Sequence, residues 1–286
     1  MNIILDSTSE YLFNSLDKKG LPIFICDRNK DKKYNFPDGE AYIRVGSLNK
    51  IKGRSVIIHS GAPNPSKGLI ELEMLLSILK TKKIKPLEVF FTYFPYGQQD
   101  KVFLPGELNM ARDILDKLVN YYKVSKIYII DPHFGHRIWL KGYPVKIVSA
   151  FKLFQEIILK KYPDILFLSA DAGQSMRSGI KGVNKKRLNS FLVKFIINNN
   201  LKKKIKGKEV CIIDDLVETG GTLSKLVSEC RKIGAKKIII FVSHSVLERG
   251  IKKSKDVSDK FFTTNSIKGV KSLINVADLI VKNINV

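Results

Sequence analysis

The chain has few cysteines, and their placement argues against two kinds of site. Among its 286 residues there are 3 cysteines, Cys26, Cys211 and Cys230, which lie far apart along the chain. Zinc sites need closely spaced cysteines or histidines, and disulfide frameworks normally pair an even number of cysteines. We therefore expect neither a Cys/His metal cluster nor a disulfide scaffold. A reducing, cytoplasmic location fits this usage best.

Long apolar runs and two common sequence signals are also missing. The longest apolar stretches, such as residues 238–242, are far shorter than the roughly 20 residues that a membrane-spanning helix needs. The first residues lack the basic segment and cleavage site of a signal peptide. The motif G-x-x-x-x-G-K-[ST] does not occur, which excludes a Walker-type nucleotide site. We expect no membrane partner.

Positive charge is in excess. Lysine and arginine number 50 against 27 aspartates and glutamates, which gives a formal net charge of +23. Such a charge can attract nucleic acid or polyphosphate ligands. The basic residues are spread along the whole chain, however, and no RNA- or DNA-binding motif accompanies them. The densest run, residues 201–210, is typical of a solvated turn before a strand. We predict no nucleic-acid partner, and keep a basic nucleic-acid-binding protein as a lesser alternative.

Strand and helix patterns alternate along most of the chain, which is typical of βαβ units and a parallel sheet. In the second half, "EVCIIDD" predicts a strand, "TLSKLVSECRKIG" a helix with one apolar face, and "KKIIIFVSH" another strand. The first half repeats this order in "RSVIIHSG", "GLIELEMLLSILKTKKI" and "LEVFFTYFPYG". The sequence therefore predicts an α/β protein of two domains, residues 1–145 and 146–286. Each domain should have a mostly parallel central sheet flanked by helices.

The segment "CIIDDLVETGGTLSK", residues 211–225, predicts a ligand site at the end of a strand. Side chains alternate between the faces of a strand, so Asp214 and Asp215 cannot both point into an apolar core. Open α/β sheets bind ligands at the carboxyl ends of their strands. Residues 219–222 offer hydroxyls, unhindered backbone N–H groups and a helix N-terminus, which suit a phosphate. The two carboxylates would then bind hydroxyl groups or a metal.

Four further segments place polar residues in loops or at strand ends. They are "FPDGE" (36–40), "YFPYGQQDK" (93–101), "DPHFGH" (131–136) and "LSADAGQSMRS" (168–178). Each has an ordinary structural interpretation, because Pro-Asp-Gly is a common turn and a histidine after a strand is more often structural than a ligand. Only their occurrence together and in this order points to one function.

Together these segments resemble the ribose-phosphate pyrophosphokinases, or PRPP synthases, particularly the archaeal-type branch. The similarity extends from "FPDGE" to "FFTTNSI" near the end of the chain. "FPDGE" and "DPHFGH" distinguish this family from the phosphoribosyltransferases, which share the acidic strand motif. The resemblance implies an N-terminal pyrophosphokinase domain and a C-terminal phosphoribosyltransferase-like domain that face one another across a cleft. It implies transfer of pyrophosphate from ATP to the 1-hydroxyl of ribose 5-phosphate, with Mg²⁺ as cofactor, giving PRPP and AMP for nucleotide biosynthesis.

The resemblance also implies roles for individual residues. The residues implied to bind ribose 5-phosphate are Asp214, Asp215, Glu218, Thr219, Gly220, Gly221 and Thr222. Those implied to bind ATP are Phe36, Asp38, Glu40, Gln98, Gln99 and Asp100, the first three in a neighbouring subunit's site. The implied catalytic residues are His133, Lys185 and Arg187, and the implied magnesium ligands are His133 and Asp171. We therefore expect a homodimer or hexamer with shared active sites.

The chain departs from the family pattern at two places. Gln98 stands where the family has an arginine in a Tyr-x-Arg-Gln-Asp loop, which removes a permanently charged partner for polyphosphate. The segment between Asp171 and Lys185 is shorter than the family's by about two helical turns. These departures favour a non-catalytic regulatory subunit as the alternative, and a phosphoribosyltransferase-type protein is a further one. The retained His133, Asp171 and acidic strand favour an enzyme.

Overall fold

The computed structural model describes residues 1–170, 184–187, 193–269 and 272–284, with the backbone alone described at 184–187, 193 and 194. The chain divides into two compact units. Unit 1 comprises Met1–Val148, Ser266–Lys268 and Asn275–Val286, and unit 2 comprises Ser149–Asn265 and Gly269–Ile274. Within the described residues, no helix is both long enough and apolar enough to cross a membrane.

Unit 1 is built on a parallel sheet whose described strands follow the order β2-β1-β3-β4-β5-β6. These strands are β1 (Asn2–Leu5), β2 (Ile23–Ile25), β3 (Ser55–Ser60), β4 (Leu87–Tyr93), β5 (Lys126–Ile130) and β6 (Val145–Val148). The helices before residue 149 are α1 (Phe13–Asp17), α2 (Pro65–Thr81) and α3 (Met110–Asp116). β3, β4 and β5 are buried almost throughout, which explains why they read as nearly continuous apolar runs.

Helix α2 shows how the local sequence forms these elements. It begins with Pro65 in its first turn, and the Asn64 side chain accepts a hydrogen bond from the backbone N–H of Lys67 at 3.4 Å. Leu72, Leu75, Leu76 and Leu79 recur at helical spacing and are buried in the hydrophobic core of unit 1. The helix predicted from "GLIELEMLLSILKTKKI" is therefore confirmed.

Unit 2 has a second parallel sheet, of order β12-β11-β10-β7, and a separate antiparallel pair. Its strands are β7 (Leu166–Ser169), β8 (Asn184–Arg187), β9 (Val193–Ile196), β10 (Glu209–Val217), β11 (Lys237–Ser245) and β12 (Lys260–Thr263). Its helices are α4 (Ala150–Lys161), α5 (Asn199–Ile205), α6 (Gly221–Ile233) and α7 (Glu248–Val257). The last described helix, α8 (Val276–Ile284), returns to unit 1.

The predicted fold class is confirmed, because both main sheets are parallel and helices alternate with their strands. The predicted boundary between residues 145 and 146 falls inside β6, which pairs with β5 through Ile127↔Val145 and Ile130↔Val148. Unit 1 therefore differs from the predicted range 1–145 by residues 146–148, Ser266–Lys268 and Asn275–Val286. The domain ranges and the cleft between the domains stay predictions.

All three cysteines are buried and free. Burial raises the pKa of each thiol, to about 12 for Cys230. A thiol with a raised pKa is a poor nucleophile near neutral pH, so these cysteines behave as small core residues.

A buried hydrogen bond between two polar side chains joins the first and third strands of unit 1. Asp6 follows β1, and its Oδ2 lies 2.6 Å from Nδ1 of His59 in β3, with both side chains fully buried. Asp6 also accepts hydrogen bonds from the backbone N–H and hydroxyl of Thr8 and from the hydroxyl of Ser9. The strand order reverses between β1 and β3, where open α/β sheets commonly bind ligands. Here these bonded side chains occupy that position.

We expect Asp6→Ala to lower the free energy of unfolding by roughly 2–5 kcal/mol, because it leaves a buried imidazole without its carboxylate partner. Asp278→Ala is the matched control, since it breaks the exposed Lys19–Asp278 pair (2.7 Å) in the same unit. That change should cost about 1 kcal/mol or less. Urea denaturation of both variants measures the difference, and equal losses would contradict the importance of the buried pair.

Candidate functional site

The acidic strand extends further than its sequence predicts. β10 continues past the two aspartates to Val217, because β11 runs beside it to the pairs Leu216↔His244 and Val217↔Ser245. Asp214 and Asp215 are therefore inside the strand, and only 9% and 2% of each residue is exposed. One carboxylate oxygen of each accepts a hydrogen bond from the next backbone N–H, at 3.0 and 3.1 Å. On the other side, β7 pairs with β10 only as far as Ile213, so both aspartates lie beyond its end.

A left-handed glycine turns the chain from β10 into helix α6. Gly220 has φ 71° and ψ 4°, a conformation that glycine adopts without the strain that a side chain would add. It is the N-cap of α6, no side chain caps that end in the structure, and Ser224 N–H donates to the Gly220 carbonyl at 2.9 Å. The first N–H groups of α6 can therefore serve an anion.

Helix α7 holds this turn in place through close backbone contact. A Cβ added to Gly250 would lie 2.3 Å from the carbonyl oxygen of Glu218. A Cβ added to Gly220 would lie 3.1 Å from the Gly250 carbonyl oxygen. Only glycine fits at position 250 without moving the turn. The backbone of α7 therefore fixes the geometry of residues 218–221.

We expect Gly250→Ala to weaken binding of ribose 5-phosphate, the ligand implied by the resemblance, by about 10- to 100-fold, because small displacements of binding groups have large effects. Gly142→Ala is the control, since a Cβ there meets no atom within 4 Å. Equilibrium binding of ribose 5-phosphate to both folded variants tests this. Unchanged affinity in a folded Gly250→Ala protein would show that the turn does not position the ligand.

Two polar loops in unit 1 leave neighbouring strands at the same edge of the sheet. β4 and β5 pair in parallel up to Phe91↔Ile129, and the segments "YGQQDK" and "DPHFGH" follow them. The loops pack together, with the rings of Phe94 and Phe134 4.9 Å apart. Gln98 and Gln99 are exposed, whereas Asp100 is buried. The predicted ATP-binding loop and the loop that carries His133 are thus adjacent within one unit.

The carboxylate of Asp100 is held by an arginine from the second loop. Arg137 Nε donates to Oδ2 at 2.6 Å, and Nη2 donates to Oδ1 at 3.1 Å. The indole N–H of Trp139 donates to the Asp100 backbone carbonyl at 3.3 Å. A carboxylate bound in this bidentate manner has little capacity left for ATP. The predicted role of Asp100 in ATP binding is therefore more easily understood as indirect.

His133 lies three residues after Ile130, the last residue of β5. Asp131, between β5 and Pro132, has φ 33°, and its N–H donates to the Val148 carbonyl at 3.0 Å. Pro132 and Phe134 are buried, while His133 between them is half-buried. The turn thus anchors its neighbours in the core and leaves the imidazole partly accessible. The predicted roles of His133 in catalysis and metal binding stay predictions.

The "FPDGE" segment forms an exposed turn. Asn35 and Ala41 form an antiparallel bridge, and Phe36 N–H donates to the Glu40 carbonyl at 2.8 Å. Phe36 is 43% exposed, and Asp38 and Glu40 are exposed as well. The segment follows β2, which β1 and β3 separate from β4. The structure therefore does not group Phe36, Asp38 and Glu40 with the loops that follow β4 and β5 of the same chain.

The structure describes no side-chain position for three predicted site residues. Asp171 lies outside the described residues. Lys185 and Arg187 lie in β8, where the backbone pairs Lys185↔Phe195 and Arg187↔Val193 place them on a hairpin. Their assigned roles stay predictions.

Two residues that shape these loops, Gly250 and Arg137, had no predicted role. Gly250 could have been noticed as a glycine inside an otherwise helical pattern, which often marks a close backbone approach. Arg137 lies four residues after His133, but its pairing with Asp100 depends on contact between loops that are distant in sequence.

Comparisons with known proteins cover both units. A family model described as the N-terminal domain of ribose phosphate pyrophosphokinase matches residues 16–121. A second, described as a phosphoribosyl transferase domain, matches residues 170–273. A crystal structure of phosphoribosylpyrophosphate synthetase from Mycobacterium smegmatis is similar with a TM-score of 0.82 and 20% identity, covering 100% of this chain and 98% of that one. At that identity, the likeness establishes the fold.

Two curated relatives cover most of the chain at higher identity. The ribose-phosphate pyrophosphokinase of Thermococcus kodakarensis is 30% identical over 259 residues, which are 86% of this chain and 89% of that protein. The ribose-phosphate pyrophosphokinase of Pyrococcus furiosus is 28% identical over 284 residues, 96% of this chain and 97% of that protein. The similarity is therefore not confined to one domain.

Proposed function

The chain belongs to the ribose-phosphate pyrophosphokinase family. We propose that loops at the strand ends of unit 1 bind ATP and that a loop at a strand end of unit 2 binds ribose 5-phosphate. The enzyme transfers pyrophosphate from ATP to ribose 5-phosphate. The observation that best supports this assignment of residues is the glycine turn that joins the acidic strand β10 to α6, which is the kind of site that binds a sugar phosphate.

In this reaction the 1-hydroxyl oxygen of ribose 5-phosphate attacks the β-phosphorus of ATP. A bond forms between that oxygen and the β-phosphorus, the bond from the β-phosphorus to the bridging oxygen of the α-phosphate breaks, and AMP leaves with the electron pair. The hydroxyl proton is released. Such a transfer depends mainly on positioning and on charge stabilisation around the phosphates.

We propose that residues 218–222 bind the 5-phosphate and that Asp214 and Asp215 bind the ribose hydroxyls. The N-terminal N–H groups of α6 and the hydroxyls of Thr219 and Thr222 supply donors for the phosphate. The strand-end carboxylates supply acceptors for hydroxyl groups. Both aspartates lie beyond the last pair of β10 with β7, at the carboxyl end of the strands where open α/β sheets bind ligands, which supports this role.

Gln98, Gln99 and His133 are the proposed ATP contacts in unit 1. The packing of their two loops against each other supports a common ligand. Lys185 and Arg187, on the β8–β9 hairpin of unit 2, are proposed to bring positive charge to the transferring group.

The donor chemistry of the chain fits magnesium. Among the described residues, no three acidic, histidine or cysteine side chains form a ready metal cage. Magnesium commonly uses only one or two protein ligands and completes its coordination with water and phosphate oxygens. We propose that His133 contributes a protein ligand to one such ion and Asp171 a protein ligand to a second, where each ion would neutralise phosphate charge. The buried free cysteines support a reducing, cytoplasmic location.

Release of AMP is the direct test of this function. With ATP, ribose 5-phosphate and Mg²⁺, the protein should release AMP, and His133→Ala should lower kcat about 100-fold because a group beside the phosphates is lost. Its thermal stability should stay nearly unchanged. His136→Ala, from the same half-buried turn, is the control and should retain most activity. A folded wild-type protein that binds ATP without releasing AMP would instead support the regulatory alternative.

We also propose that the active enzyme is at least a dimer. The exposed "FPDGE" turn presents an aromatic ring beside two carboxylates, which suits an adenine base in a neighbouring subunit. Sedimentation of the active enzyme at assay concentration should therefore show a dimer or hexamer. Turnover by a monomer would contradict a shared site.

A further inference from the structure

The pair formed by Arg137 and Asp100 has a chemical consequence beyond packing. The Arg137 side chain is 29% exposed, whereas that of Asp100 is 2% exposed. Nε and one hydrogen of Nη2 are used by the carboxylate. The Nη1 group has no hydrogen-bond partner among the described residues. An arginine has five N–H donors, so the buried carboxylate fixes one side of the guanidinium and leaves the other side able to bind a ligand.

The position of Arg137 makes a phosphate the expected ligand. It joins the loop that carries Gln98 and Gln99 to the loop that carries His133, all of them proposed ATP contacts. Gln98 and Gln99 offer neutral amides, which carry no charge to balance a triphosphate. A guanidinium is permanently charged and binds phosphate oxygens through two parallel N–H groups. Since Asp100 already holds it in place, little side-chain entropy is lost when the phosphate binds.

We propose that Arg137 binds the polyphosphate of ATP in this chain and that Asp100 is its positioning residue. Arg137 thereby supplies the guanidinium that Gln98 does not supply. The inference rests on the proposed function, because it takes the adjoining loops to be the ATP site. It also predicts that the arginine determines affinity for the phosphates of the nucleotide and has little effect on ribose 5-phosphate.

A second pair in unit 1 provides a matched control. Arg54 and Glu88 form the same bidentate contact, at 2.8 and 3.0 Å, and their side chains are 31% and 7% exposed. Arg54 directly precedes β3, and Glu88 is the second residue of β4, so this pair lies at the amino ends of the strands. The proposed ATP loops follow the carboxyl ends. Removing Arg54 therefore disrupts a similar ion pair away from those loops.

The test measures binding by calorimetry with ATP, inorganic tripolyphosphate or AMP as the probe, in Mg²⁺ and without ribose 5-phosphate. We expect Arg137→Met to weaken binding of ATP and tripolyphosphate about 10- to 100-fold, the range for a charge-assisted contact, and binding of AMP much less. The affinity of Arg137→Lys for ATP should lie between those of the wild type and Arg137→Met, because lysine keeps the charge and loses the bidentate geometry. Arg54→Met should lower the melting temperature without changing the affinity for ATP.

Two further variants separate binding from a structural role. Asp100→Asn keeps the cation but loosens its position, so it should weaken ATP binding less than Arg137→Met. Adding Gln98→Arg to Arg137→Met should restore part of the affinity, because it returns a guanidinium to the same pair of loops. A folded Arg137→Met protein with wild-type affinity for ATP and tripolyphosphate would overturn the proposal. So would an equal loss of ATP affinity in Arg54→Met.

The outcome also distinguishes this inference from the proposed function. If the wild-type protein binds ATP with the expected dependence on Arg137 but releases no AMP, the inference holds and the catalytic function fails. If the wild-type protein releases AMP while Arg137→Met keeps its affinity and its KM for ATP, the function holds and the inference fails. If the wild-type protein binds no ATP, both are wrong.

Discussion

Backbone pairing between parallel strands is the constraint on which the proposed binding groups depend. Parallel neighbours place their carboxyl ends at one edge of the sheet, so the loops that follow them must meet. The pairing of β4 with β5 brings the Gln98–Gln99 segment beside the His133 turn. In unit 2, β10 extends beyond β7, which leaves Asp214 and Asp215 past the end of one neighbour and beside the other.

Two buried carboxylates show whether each of these edges serves the core or a ligand. At the edge between β1 and β3, Asp6 and His59 bond to each other and Asp6 also accepts hydrogen bonds from neighbouring hydroxyls, so a position often used for ligands has become part of the core. Between the loops after β4 and β5, Asp100 is equally buried but its partner Arg137 remains partly exposed. The first pair stabilises the sheet, whereas the second can also present a cation to a ligand. The difference lies in the exposure of one partner.

The same contrast bears on how a loop with neutral amides can gain a cation. The loop that carries Gln98 does not need a guanidinium of its own, because Arg137 of the adjoining loop can present one beside it. The indole of Trp139 and the bidentate ion pair to Arg137 hold Asp100 from two sides. A motif read along the sequence does not reveal this contact. It becomes visible only when the residues are compared in space.

The sequence by itself determined the α/β class, the alternation of strands and helices, and the order of the polar segments, because these follow from local periodicity and turn chemistry. It also identified the glycine turn before α6, since Gly220 needs only its own backbone freedom to adopt φ 71°. The tertiary structure decided that β10 continues to Val217, because a neighbouring strand supplies its hydrogen bonds. It likewise decided that Gly250 supports the turn and that Arg137 holds Asp100. These last features are contacts between segments far apart in the chain, and local sequence carries no record of which distant group will fill a given space.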